Sequence, residues 1–363
     1  MIVMKLEFHK IYGFDDFSID FSYPKKIVNS LISEEHLSSR ERFRYRKAVI
    51  LMGANATGKT CLGRALREIF SYIRDSNPSH LYPMASGDDA SFTIDFVNGD
   101  YRLQRLCVMI DSARKKACVK YYTSDIEIMD SYEKCAAKLK ERSIDVSCLQ
   151  ESVGPFSSRF SYPEIESSVT FRGIDRTVLL KTLSAVIGTL DPTLRDIRIA
   201  NELKDSFIIR RDGREIIIQE GKLLNGEILS SGTAEGVDIA FFLASIISKE
   251  GSFYYCDEHF SYIHSDIEKR IFSLMVCALG PDNQLIFTTH NTDMMDLNLP
   301  KHTYVFLRKY YDGDRLCTEA VSASSVLKRN TDSVRCAVEN DVFNSLPKDY
   351  LLDDLEMEYL NGE

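Results

Sequence analysis

Gly53-Ala54-Asn55-Ala56-Thr57-Gly58-Lys59-Thr60 fits the pattern G-x-x-x-x-G-K-[ST], and its reading governs the rest of the chain. Gly53 and Gly58 let the backbone turn so that successive N–H groups, those of Asn55 and Thr57 among them, face one anion. The positive end of a following helix adds to that attraction. Lys59 is placed to neutralise the β- and γ-phosphates of a nucleotide, and the Thr60 hydroxyl to coordinate Mg2+. The flanks agree. Ala48–Met52 is a short apolar strand, and after the loop Leu62, Ala65, Leu66, Ile69, Phe70 and Ile73 recur at helical spacing.

Three later stretches take their meaning from this loop. Phe253-Tyr254-Tyr255-Cys256-Asp257-Glu258 is an apolar strand ending in two carboxylates. Alone it is a common solvated strand end; behind a phosphate loop, Asp257 would hold the metal and Glu258 would polarise the attacking water. Leu229-Ser230-Ser231-Gly232-Thr233 stands directly before a long helical pattern. Ser231 or Thr233 could be a plain helix cap, yet Ser230, Ser231 and Gly232 at a helix start also make a second anion site. Leu285-Ile286-Phe287-Thr288-Thr289-His290 is a strand ending in a histidine that could contact the γ-phosphate. The order of the four is the strongest signal. About 170 residues separate the phosphate loop from LSSGT, so the fold must bring two halves of the chain into one head.

Outward from these motifs, Lys5–Ile11 and Asp16–Phe21 read as strands, and the polar segment from Ser30 to Arg46 as an insertion or loop. Ser91–Val97 and Tyr101–Met109 flank Asn98-Gly99, a hairpin turn signal, and Ala117–Tyr122 adds a third strand. Met129, Tyr132, Cys135, Ala136 and Leu139 mark a short helix, Arg176–Ile187 another, with a serine-rich loop between them. Phe207–Arg210 and Glu215–Gln219 flank the turn Asp212-Gly213, and the tail holds a hairpin of Thr303–Lys309 and Leu316–Val321. Helices are expected over Thr233–Ser248 and Asp266–Leu279. The expected division is an N-terminal lobe (1–125), a helical insertion or short arm (126–190), a C-terminal lobe (191–300), and a hairpin with an acidic tail (301–363).

Composition narrows the class. A 363-residue chain with 44% hydrophobic and 27% charged residues can bury a sizeable core. No apolar run reaches the roughly 18 residues of a membrane span, and the start lacks a signal-peptide pattern, so a cytoplasmic protein is expected. The nine cysteines are scattered without a metal-ligand spacing, which points to reduced, mostly buried thiols. A net charge of −9 argues against a surface that is one nucleic-acid footprint. A local patch remains open at Arg40, Arg42, Arg44, Arg46 and Lys47, which reads otherwise as a solvated segment.

With GANATGKT, LSSGT, DEHFSYIH (257–264) and the T-T-H-N run from Thr288, the chain resembles the non-transporter ABC ATPases of the SMC/RecF/OLD group. Among these it looks most like the small bacterial AbiEii-like or OLD-like ATPases of phage-defence and toxin systems. DEHFSYIH is similar to a D-E-x-x-x-x-L-H pattern, with Ile263 for leucine. The resemblance implies an α/β fold: an ABC-type head with a mixed central sheet, flanking helices, an antiparallel β-meander and a short helical insertion. It implies ATP and Mg2+ as cofactors, with Lys59, Thr60, Asp257, Glu258 and His290 acting in cis. Ser230 to Gly232 would act in trans on a homodimer partner's nucleotide. A separate effector encoded nearby is the expected partner. A DNA-binding RecF-like repair ATPase and an ATP-gated scaffold without catalysis are the alternatives. The glutamine that such heads carry near the γ-phosphate has two candidates here, Gln104 and Gln150.

Overall fold

A computed structural model describes residues 1–27, 30–163, 173–194, 196–200, 206–211, 214–219, 222–224, 229–329, 331–346 and 350–359. Strands β1 (Ile2–Ile11) and β2 (Phe14–Asp20) form an antiparallel pair, turned by Tyr12 and Gly13 at φ of 47° and 80°. The segment expected as a polar loop instead holds a small hairpin, β3 (His36–Leu37) and β4 (Arg40–Arg44). Its alternating charges disguise an apolar face: Ile32, Leu37, Phe43 and Tyr45 are buried. Strand β5 (Ala48–Met52) then runs into α1 (Lys59–Asp75) through the glycine loop. The meander β6 (Ser91–Val97), β7 (Arg102–Asp111) and β8 (Lys116–Asp125) joins β1, β2 and β9 (Lys140–Arg142). The result is an antiparallel sheet of order β2-β1-β6-β7-β8-β9.

Residues 126–190 supply α2 (Tyr132–Ala136), α3 (Leu149–Val153) and α4 (Arg176–Leu190). They also supply β10 (Ser158–Ser161), the edge strand of the central sheet. Beyond them, β11 (Asp196–Ala200), β12 (Ser206–Arg211), β13 (Arg214–Gln219) and β14 (Lys222–Leu224) form an antiparallel sheet in that order. The expected Asp212-Gly213 turn lies outside the described residues. The chain continues through α5 (Ser231–Ile247), β15 (Phe253–Asp257), α6 (Ser265–Ala278) and β16 (Gln284–Thr288). It ends with β17 (Tyr304–Asp312), β18 (Arg315–Ser322), α7 (Ala323–Val326), α8 (Val334–Glu339) and α9 (Tyr350–Tyr359). The central sheet has the order β10-β15-β16-β5-β17-β18; all its pairs are parallel except β17 with β18.

The central strands are buried on both faces, which is why they read as continuous apolar runs. Alternate side chains feed opposite layers. Val49, Leu51, Phe253, Tyr255 and Ile286 pack with α1 and the antiparallel sheet. Ala48, Ile50, Met52, Tyr254, Cys256, Leu285 and Phe287 pack with α4, α5 and α6. A helix therefore lies sandwiched between two sheets, with a helical layer beyond. No helix among the described residues is long and apolar enough to cross a membrane. All nine cysteines are free, but only Cys135, Cys256 and Cys317 are buried, so the expectation of mostly buried thiols does not hold.

The basic stretch is not a solvated segment either. Arg46 is buried and donates to the His302 carbonyl at 2.8 Å and the Ser322 hydroxyl at 2.7 Å. Lys47, 1% exposed, donates to the Ser33 carbonyl. Arg40 stacks over the Tyr101 ring. These cations tie the hairpin to the body. Arg46→Ala would strand the His302 carbonyl and leave a void, and is expected to cost about 2–4 kcal/mol of stability. The exposed Arg42→Ala is expected to cost less than about 0.5 kcal/mol. Denaturant unfolding of the two variants checks the contrast.

Candidate functional site

Strand order explains how residues far apart in sequence meet. β15, β16 and β5 are parallel neighbours, with Asp257 beside Thr288 and Thr288 beside Leu51 in the ladder. Their C-terminal ends share one edge, the place where open α/β sheets bind ligands. From that edge emerge the glycine loop, the Asp-Glu pair and the histidine turn.

The loop is built as its composition demands. Gly53 (φ 154°) and Gly58 (φ 104°) take backbone conformations that favour glycine. A Cβ on Gly53 would lie 2.4 Å from the Leu307 carbonyl oxygen, and one on Gly58 would lie 2.6 Å from the Phe14 ring. Gly58 leads directly into α1, whose N-terminus has no side-chain cap and no acidic residue in its first turn. That end suits an anion. Lys59 is buried and donates to the Gly53 carbonyl at 2.7 Å and the Ala54 carbonyl at 3.2 Å, while lying 3.3 Å from Glu258 Oε1. Burial pushes its ammonium pKa down, against the opposing pull of Glu258. From beneath, the Tyr255 hydroxyl donates to the Lys59 carbonyl at 2.7 Å, pinning the first turn of α1 to β15.

Asp257 and Glu258 are adjacent but differ in environment. Asp257 is 2% exposed and accepts a hydrogen bond from the Thr288 hydroxyl at 2.8 Å, and the Thr60 side chain beside it also favours its ionised form. Burial raises its pKa despite those bonds. A buried carboxylate beside a threonine hydroxyl is a pair of hard oxygen donors, the chemistry Mg2+ prefers. Glu258 sits at φ 44°, a strained position for a non-glycine residue, and its N–H donates to Thr288 Oγ1 at 3.0 Å. The turn aims its carboxylate at His290 Nε2, 2.8 Å away. Burial alone would raise the Glu258 pKa, but His290 and Lys59 outweigh it and hold the carboxyl below its ordinary value.

Around these groups lies a cavity of about 440 Å³. Asn55, Thr57, Gly58, Lys59, Thr60, Glu258 and His290, all singled out in the sequence, line it; Gly53 and Asp257, singled out with them, do not. So do Tyr12, Gly13 and Phe14 from the β1–β2 turn, and Lys309 and Thr318 from the β17–β18 hairpin, which the sequence did not suggest. Lys309 and Thr318 are direct cross-strand partners, so one side of that hairpin faces the site. Neither glutamine candidate lines it; Gln104 is buried in the meander, bonded to the Val153 carbonyl and the Tyr121 hydroxyl.

Ser230, Ser231 and Gly232 do not line this cavity. Ser230 caps α5, its hydroxyl accepting from the Thr233 N–H at 3.2 Å, and Ser230 and Ser231 are exposed. Gly232 packs against the Tyr262 carbonyl, where a Cβ would approach to 2.7 Å. The loop is thus a cap and a surface feature together.

No protein-family model matches the chain, and no curated protein matches it. Solved structures do. An SMC head bound to the C-terminal winged-helix domain of ScpA is 13% identical, with a TM-score of 0.54, over 90% of this chain and all of that one. An SMC head with an extended coiled coil, bound to the C-terminal domain of ScpA derived from Pyrococcus furiosus, is 12% identical with a TM-score of 0.53, over 90% and 98% of the two chains. An SMC head with coiled coil and joint from Pyrococcus yayanosii is 11% identical with a TM-score of 0.53, over 90% and 99%. These likenesses, with the parallel sheet and sandwiched helix described above, give the chain the fold of an SMC head, an ABC-type ATPase architecture.

Proposed function

We propose that the chain binds Mg-ATP in this cavity and hydrolyses it when the serine-glycine surface of a second copy closes over the γ-phosphate. The observation that carries this reading is the split placement. Lys59, Thr60, Glu258 and His290 line one cavity, with Asp257 at the same strand edge, while Ser230 and Ser231 stand exposed at the start of a 17-residue helix and do not line it. In this reading the loop N–H groups and Lys59 hold the β- and γ-phosphates. Lys59 exchanges its carbonyl and Glu258 contacts for phosphate oxygens. Thr60 and Asp257 would hold Mg2+, which supplies charge neutralisation at the phosphates. Glu258, kept ionised by its neighbours, accepts a proton from the attacking water. His290 contacts the γ-phosphate and keeps Glu258 aimed.

Ser231→Glu tests the second surface. No acidic residue occupies the first turn of α5, and a carboxylate there is locally favourable to the helix. The variant should therefore fold and bind ATP as the parent does. Facing a sister's γ-phosphate it would repel, so ATP-dependent dimerisation and turnover are expected to fall at least about tenfold, from like-charge juxtaposition worth several kcal/mol. Sedimentation with ATP and a phosphate-release assay read both. Full dimerisation and turnover by the variant would remove the trans reading.

For biological role, we propose an ATPase subunit that acts on a separate effector, as in the defence and toxin systems whose ATPases the sequence resembles. Two of the similar SMC heads are bound to a domain of ScpA, which supports a head of this architecture docking another protein. Co-purification from the native host, with and without ATP, tests for such a partner.

A further inference from the structure

Glu268 on α6 is 2% exposed, and its two carboxylate oxygens face different residues. Oε1 accepts the Thr289 hydroxyl at 2.7 Å, and Oε2 accepts the Asn291 side-chain amide at 2.6 Å. These are the residues on either side of His290. Thr289 has one other outside anchor, its N–H donating to the Leu51 carbonyl at 3.3 Å. The Asn291 N–H donates to Thr289 Oγ1 at 3.0 Å, the Asn291 amide bonds Ser265 Oγ at 3.0 Å, and the Asn291 carbonyl accepts the Met294 N–H at 3.3 Å. Burying a carboxylate is costly unless it is well bonded. Here burial, helped by Glu235 and Asp293, raises the Glu268 pKa against those two donors. A hydrophobic residue would fill the same space without that cost, so the carboxylate's distinctive contribution is its two-sided grip.

We propose that Glu268 is the positioning residue of the histidine turn, holding it from both flanks so that His290 Nε2 stays aimed at Glu258 and the γ-phosphate. The proposal rests on the ATPase reading above. A misplacement of about 1 Å at such a site costs on the order of a hundredfold in rate, while a group that acts only through His290 contributes little to ground-state binding. Glu268→Gln nearly preserves volume and keeps an acceptor for Thr289. It turns an amide N–H towards the Asn291 amide, whose oxygen already accepts the Asp293 N–H at 2.9 Å, so one flank lets go.

The test is a double-mutant cycle of Glu268→Gln and Glu268→Ala with His290→Ala, reading kcat and ATP affinity separately. Each Glu268 variant is expected to lower kcat by about 10- to 100-fold, with ATP affinity within about threefold of the parent. In the His290→Ala background neither is expected to lower kcat further. An equal loss in both backgrounds would mean a merely structural carboxylate and overturn the proposal, as would an unchanged kcat in the parent background. Where Glu268→Ala does not fold, the near-isosteric Glu268→Gln carries the cycle. The His290 ring resonances give a readout that needs no turnover: the Glu268→Gln variant is expected to shift them, and an unmoved ring overturns the proposal. A parent that hydrolyses no ATP would instead overturn the ATPase reading, with the ring shift still deciding whether Glu268 places His290.

Discussion

Lys59→Ala is expected to weaken ATP binding by about 30- to 5,000-fold, the 2–5 kcal/mol lost when one partner of a buried charge pair is removed. The reason lies in what surrounds the ammonium. It is almost fully enclosed, bonded to two loop carbonyls, and placed against Glu258. Without it, a triphosphate entering the cavity meets those carbonyls and the Glu258 carboxylate, with Lys309 as the remaining cation among the lining residues. Lys309 sits on the hairpin side of the cavity and lacks the loop's N–H groups around it. Lys59→Arg should rescue little, because the planar fork does not fit a pocket shaped for a compact point charge. Calorimetric titration of ATP into each variant measures the loss; an affinity within twofold of the parent would refute the assignment of the loop.

Glu258→Gln is expected to leave ATP affinity equal or slightly tighter and to lower hydrolysis by about 10²- to 10⁴-fold, the usual contribution of a positioned base. The amide is nearly isosteric, so the turn at φ 44° and its bonds to Thr288 persist. What goes is the proton acceptor and one negative charge beside the γ-phosphate. Less repulsion and no turnover should accumulate an ATP-bound dimer of twice the mass of one chain. This variant also separates the enzyme from the ATP-gated scaffold: a cellular effect that survives in Glu258→Gln needs closure only.

Much of the candidate site's lining was legible in the sequence because it is carried by short contiguous stretches. The loop, the Asp-Glu strand end and the histidine each follow an all-buried strand, and continuous apolar runs such as AVILM and FYYC mark central parallel strands. What escaped was what depends on sheet order. Tyr12 and Lys309 face one cavity only because the β1–β2 turn and the β17–β18 hairpin both approach the end of β5. Thr288 binds both acidic residues because the ladder sets it beside Asp257. Charge misled in the Arg40–Lys47 stretch: Arg46 and Lys47 find backbone carbonyls inside, and a sequence does not display which carbonyls wait there. Cysteine exposure was equally hidden, since Cys118, Cys277 and Cys336 occupy outward faces of regular elements.

Mixing two inactive variants measures the central claim most directly. Lys59→Ala damages a chain's own cavity, whereas Ser231→Glu damages the surface offered to a sister. If the nucleotide is shared between copies, a mixed dimer pairs both defects in one site and leaves the other site whole. An equimolar mixture should then recover about a quarter of the parent ATPase rate, half of the dimers being mixed and half of their sites intact. A mixture that stays as inactive as its two folded components would show that each chain works alone, and would contradict the account.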